Sequence, residues 1–158
     1  MARTGLGFDS HRFLKGRPLV LGGVLIEHTA GLAAHSDGDV VLHALTDAIL
    51  GALAADDIGE HFPDSDPRWT NADSRIFLTH AVKLAAERGY GVGNCDITLV
   101  AEAPRLGPYK KPIAKRIAEL LHIAPDAVGV KAKTAEGMGV IGSGEGIACF
   151  VSVLLDAS

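Results

Sequence analysis

The chain has 158 residues, enough for one domain with a hydrophobic core and too few for two ordinary ones. Hydrophobic residues make up 47% but aromatic residues only 5%, so the core has to be closed with Ala, Val, Leu and Ile. A formal charge of -4 without a long basic run argues against a nucleic-acid partner. Asp47 and the glycines interrupt the apolar stretches before any could span a membrane. The N-terminal MARTGLGFDSH lacks a signal peptide's apolar core. Cys95 and Cys149 are far apart in strand-like runs and are expected to be buried, reduced thiols.

In GLGFDSHRF, residues 5–13, the period of a strand sets Gly7, Asp9, His11 and Phe13 on one face and Phe8, Ser10 and Arg12 on the other. A carboxylate and an imidazole then share a face beside apolar residues and need partners. RPLVLGGVLIEH reads as a hairpin turning at Gly22 and Gly23. Ser36 and Asp39 have capping-box spacing, which predicts a helix from near Asp37 to about Ala55. DIGEHFPDSDPRW reads as a loop, and ADSRIFLTHAVKLAAERGYG as a second helix stopped by Gly89.

Residues 93–101 alternate as a strand with Cys95, Ile97, Leu99 and Ala101 on one side. A loop, AEAPRLGPYKKP, leads into a third helix, IAKRIAELLHI. The strand AVGVKAKT, the glycine-rich connection GMGVIGSGEG and a buried strand, IACFVSVLL, complete the chain. This order predicts one α/β (α+β) domain over residues 1–158, a mixed β-sheet with helices packed on one face.

His43 has Asp39 and Asp47 four residues to either side, so all three share a strip of the first helix. If that strip faces the first strand, Asp9, His11 and His43 form a zinc-type ligand set with a fourth position open. Asp47 would then hold the free nitrogen of His43. The plain alternative is two ordinary satisfied histidines. Residues 137–142 match G-x-G-x-x-G, with Asp156 at the distance of a ribose-binding acid, but a strand-like run follows the glycines where a dinucleotide site needs a helix. His35 to Gly38 precede a helix, where either an anion or simple capping by Ser36 fits. Thr134 and Glu136 follow a lysine-bearing strand and suit a phosphate and a hard cation, the single carboxylate needing substrate phosphates to hold Mg²⁺; the plain alternative is two surface residues. His28, His61, His80 and His122 have no companion ligands at useful spacing and are read as structural or exposed.

Across nearly the whole chain, GFDSHRF, AHSDGDVVLHALTDAILGALAADDIGEHFPDSDPRW, AEAPRLGP, VKAKTAEGMG and GEGIA occur in an order that resembles the 2-C-methyl-D-erythritol 2,4-cyclodiphosphate synthase family. The resemblance implies a cytoplasmic homotrimer with active sites between neighbours. Its members convert 4-diphosphocytidyl-2-C-methyl-D-erythritol 2-phosphate to the cyclodiphosphate and CMP in the non-mevalonate isoprenoid pathway. By position, Asp9, His11 and His43 match the zinc ligands, and Glu136 the carboxylate of a second divalent site, Mg²⁺ or Mn²⁺. His35 and Thr134 match residues that steady the transition state. The substrate pocket would take in Asp9, Ser10, His11, His35, Ser36, Asp57, Ile58, Gly59, Phe62, Pro63, Asp64, Ser65 and Asp66. The cytidine loop would be Ala101, Glu102, Ala103, Pro104, Arg105, Leu106 and Gly107, with Lys133, Thr134, Ala135 and Glu136 beside the phosphates.

The chain departs from the commoner family pattern L-G-F-x-G-R-G, carrying Val140 and Ser143 where an aromatic residue and an arginine are usual. That arginine is associated with an isoprenoid diphosphate bound along the trimer axis, and Arg3 is a candidate to replace it. Two rival functions use the same parts: a zinc-dependent phosphoester hydrolase, and a non-catalytic trimeric nucleotide-binding protein.

Overall fold

The computed structural model describes residues 1–158. The alternation in the first segment becomes a long strand, β1 (Arg3–Lys15). It pairs antiparallel along Arg3 to Arg12 with β7 (Gly146–Ala157). A hairpin, β2 (Leu19–Leu21) and β3 (Val24–Ile26), turns at Gly22 and Gly23, both at positive φ as a tight two-residue turn requires. The chain then adds β4 (Ala30–Leu32) to the far end of β1. This strand is absent from the sequence reading because AGL carries no β-branched or alternating signal.

Helix α1 (Val40–Ala52) starts later than the capping-box spacing predicted. Its N-cap is Asp39, whose carboxylate accepts the Leu42 N–H at 3.1 Å and also ties down the hairpin through the Gly22 and Gly23 N–H groups at 2.8 and 2.7 Å. Burial pushes this carboxyl up to about 6, against the pull of those three donors. Asp39 therefore faces the hairpin, and it does not share a working surface with His43.

The expected loop after α1 holds one helical turn, α2 (Ile58–His61), and a 3₁₀ turn at Pro67–Trp69. Helix α3 (Arg75–Glu87) ends where Gly89 takes a positive φ, as expected. Strand β5 (Tyr90–Val100) runs antiparallel to β7, and β6 (Val128–Lys133) lies parallel to β5, which requires the crossover made by α4 (Lys110–Leu121). The glycine-rich connection contains a further turn, α5 (Gly139–Gly142). Five strands thus form a mixed sheet in the order β4-β1-β7-β5-β6.

Helix α1 packs on β1 and β7, α3 on α1 and β5, and α4 on β6, so the three long helices cover one face. The closest approach is α1 on β1. A Cβ at Gly5 would stand 1.9 Å from the Ala48 carbonyl oxygen, and one at Gly7 1.8 Å from that of Ala44. Only glycine lets the two backbones come so near. Strand β7 was expected to be wholly buried, but only Ile147, Cys149, Val151, Val153 and Leu155 point under the helices, while Phe150 and Ser152 face outward. The uncovered face presents Leu6 (71% exposed), Phe8 (51%) and Phe150 (43%), with the two phenyl rings 4.9 Å apart. Cys95 and Cys149 are free and buried, and burial pushes the Cys95 thiol up to about 12.

Candidate functional site

Asp9 and His11 sit on the helix-covered face of β1, opposite the buried Cys149 and Ile147 of β7. The tight seat of α1 on this strand brings His43 down beside them. The three ligand atoms form a near-equilateral triangle: Asp9 Oδ2 to His11 Nε2 is 2.8 Å, Asp9 Oδ2 to His43 Nδ1 3.0 Å, and His11 Nε2 to His43 Nδ1 3.0 Å. They are the cluster with metal-ligand spacing anticipated from the sequence.

The other nitrogen of His43 decides what Nδ1 can do. Nε2 lies 2.8 Å from Ser74 Oγ and 3.0 Å from Ser36 Oγ, and the Ser74 hydroxyl donates to the Asp37 carboxylate. Ser74 has already committed its proton to Asp37, so it accepts from His43 Nε2–H. The Nδ1 lone pair is then free to face the cleft, as a metal ligand requires. Burial favours neutral His43, but the hydrogen bond and charge of Asp9, with Asp39 and Asp37 behind, hold its pKa above the usual 6.5. Burial likewise opposes charge on Asp9, yet its two histidine partners hold it at about 2. Without a cation the triangle therefore holds a proton up to a higher pH than an ordinary imidazole does, and a divalent ion can replace it. The residues fit such an ion: one carboxylate and two imidazoles, correct tautomer at His43, and an open side.

That side opens into a cleft of about 300 Å³, lined by all three ligands together with His35, Ser36, Ile58, Gly59, Phe62 and Asp64. His35 Nε2 is 4.0 Å from Asp64 across its mouth. Ala34, Trp69 and Phe77 complete the wall and were not anticipated. Asp47 does not hold His43, correcting the expectation. Its carboxylate accepts the Ile58 N–H at 2.8 Å and thereby fixes the start of α2 at the cleft's edge. Asp57 caps α2 through Glu60 N–H, and Asp66 caps the 3₁₀ turn and pairs with Arg68. Ser10 points away on the outer face of β1; Asp57, Pro63, Ser65 and Asp66 are near in sequence without lining the cavity.

A second cleft, of about 420 Å³, gathers Ala101, Glu102, Pro104, Arg105, Leu106 and Gly107 with Lys133 and Thr134. The Glu102 carboxylate accepts the Ala135 N–H at 2.7 Å and locks the two loops together. Ala103 and Glu136 lie beside this cleft in sequence without lining it, Glu136 being exposed at φ 52 after the Thr134 turn. No residue lines both clefts, so within one chain His35 and Thr134 stand at different sites.

The fold and the triangle define a single-domain α+β protein with an open three-ligand candidate metal centre. Residues 2–156 match the YgbB family model, and the chain belongs to that family. The 2-C-methyl-D-erythritol 2,4-cyclodiphosphate synthase of Idiomarina loihiensis is 53% identical over 155 residues, 98% of each chain. The bifunctional enzyme IspD/IspF of Erythrobacter litoralis is 56% identical over 146 residues, 92% of this chain, which spans only 38% of that relative's length. A 2C-methyl-D-erythritol-2,4-cyclodiphosphate synthase solved in a CDP-bound form matches with a TM-score of 0.90 at 42% identity, over 98% of this chain and 100% of the other.

Proposed function

We propose that this protein is a 2-C-methyl-D-erythritol 2,4-cyclodiphosphate synthase of the non-mevalonate isoprenoid pathway. The observation that carries this reading is the Asp9–His11–His43 triangle at the floor of a cleft, in a chain 53% identical end to end to a relative of that name. The 2-phosphate oxygen of 4-diphosphocytidyl-2-C-methyl-D-erythritol 2-phosphate attacks the β-phosphorus of the same molecule. The bond from that phosphorus to the bridging oxygen breaks, and CMP leaves with the oxygen. An ionised phosphate needs no general base, so catalysis rests on holding both ends together and offsetting charge.

The first cleft would hold the methylerythritol and its phosphates, with Ile58, Gly59 and Phe62 as the apolar wall. His35 at its mouth and Thr134 would donate hydrogen bonds where charge develops. The triangle would hold Zn²⁺, which supplies Lewis-acid polarisation of the β-phosphate when bound. Glu136, a single carboxylate, would hold Mg²⁺ or Mn²⁺ only together with substrate phosphates. The loop from Ala101 to Gly107 would read cytosine through its backbone.

A substrate that needs both clefts favours a homotrimer in which the second cleft of one subunit abuts the first cleft of its neighbour. The apolar outer sheet face, with Leu6, Phe8 and Phe150, is surface of the kind a subunit interface covers. No helix is long and apolar enough to cross a membrane, and we place the reaction in the cytoplasm. Incubating the purified protein with substrate and following ³¹P NMR tests the reading. Cyclodiphosphate and CMP are expected. Inorganic phosphate or a linear product would indicate a phosphoester hydrolase, and unchanged substrate a nucleotide-binding protein.

A further inference from the structure

His61 closes α2 and His80 lies on the exposed side of α3, and the fold brings these two imidazoles together. His61 Nδ1 and His80 Nε2 are 3.0 Å apart, with ring centroids at 5.0 Å and planes inclined by 57°. His61 Nε2 is 2.6 Å from the Ala55 carbonyl oxygen, which can only accept. The proton of neutral His61 is therefore on Nε2, and Nδ1 carries a lone pair aimed at His80. In the metal-free protein His80 Nε2–H donates to that lone pair; moving the His80 proton to Nδ1 turns its Nε2 lone pair to the same point, so an ion can take the place of the shared hydrogen.

Two imidazole nitrogens bound to one ion at about 2.0–2.1 Å stand about 2.9 Å apart at a right angle and about 3.3 Å apart at the tetrahedral angle. The observed 3.0 Å falls between these. A backbone carbonyl on the far nitrogen is also the partner that a metal-ligating histidine uses to fix its ring. We propose that His61 and His80 form a second metal site, distinct from the triangle, for a late divalent transition ion such as Ni²⁺, Cu²⁺ or Zn²⁺, with water completing the coordination. Because α2 and the following Phe62 line the first cleft, the ion clamps one wall of that cleft to α3.

Calorimetric titration of the purified protein with Ni²⁺ tests this, comparing wild type with His80→Ala and His61→Gln. The triangle contributes equally to all three proteins, so the difference isolates the pair. Wild type should bind one more equivalent per chain than either variant, or bind that equivalent at least tenfold more tightly. Saturating Ni²⁺ should raise the unfolding temperature of wild type by more than that of His80→Ala, whose exposed helical position accepts alanine without loss of fold. Equal stoichiometry and affinity in wild type and His80→Ala would overturn the site.

Discussion

Ser74 accepts the Nε2–H of His43 at 2.8 Å while its own hydroxyl is committed to Asp37. This serine begins α3 without capping it through its side chain, so its hydroxyl serves His43 and not the helix. Ser74→Ala should fold normally and lower zinc affinity by roughly tenfold, the range for losing an outer partner of a ligating histidine. Ser36 at 3.0 Å limits the loss. Dialysis against a zinc chelator of known affinity measures it, and an unchanged zinc constant would remove Ser74 from the metal's support.

Metal uptake should depend on pH with a definite sign. In the metal-free protein His43 binds its proton more tightly than an ordinary imidazole, through Asp9. Zinc must displace that proton, so apparent affinity should rise by up to about tenfold per pH unit until pH exceeds the raised His43 value, then level off. Asp9, ionised down to about 2, adds no dependence near neutrality. Titrations between pH 5.5 and 8.5, or about that range, would display the slope, and a flat profile from about pH 6 upward would contradict the proton shared in the triangle.

The separation of His35 and His43 from Thr134 within one chain predicts complementation. In the proposed homotrimer, His43→Ala and Thr134→Ala proteins should each be inactive alone. Mixed in equal amounts after dissociation and reassembly, they should regain about a quarter of wild-type turnover, as random mixing restores some intact two-subunit sites. Native mass spectrometry, which separates mixed from parent trimers by mass, checks that subunits exchanged, and no recovery in exchanged trimers would count against a site shared between subunits.

An isoprenoid diphosphate should bind weakly. Ser143 turns its hydroxyl to the Val140 carbonyl at 2.9 Å, so it offers no free fork of donors. Arg3 does not substitute: it lies at the opposite end of β1, bonded to the Tyr90 hydroxyl at 3.0 Å. The nearer cation is Arg12, 3.7 Å from Glu145. Ser143→Arg should tighten geranyl diphosphate binding at least tenfold in calorimetry with turnover little changed, and tight binding by wild type would show that Arg12 suffices.

Elements with local causes were legible in the residues alone. The two-residue period of β1 set Asp9 beside His11, and Gly22-Gly23 and Gly89 marked their turns. What escaped depends on contacts between distant segments. Asp47 and Asp39 share spacing with His43, yet Asp39 was drawn to the hairpin amides and Asp47 to Ile58 N–H. Ser74 and Asp37 are 37 residues apart, and nothing local in either marks them as partners of His43. The meeting of His61 with His80 is likewise created by α2 folding back on α3.

The absent side chains at Gly5 and Gly7 act as a spacer of zero thickness between β1 and α1. Asp9 and His11 ride on the strand and His43 on the helix, so the gap between the two backbones is also the width of the candidate metal triangle. A single methyl at Gly7 would have to drive the Ala44 carbonyl from 1.8 Å out toward the 3.4 Å where ordinary contact begins. His43 is the next residue along, and it would be carried off with the helix. The chemistry of this protein is thus gauged by backbone contact two residues from its first ligand, at a position that holds no functional group at all.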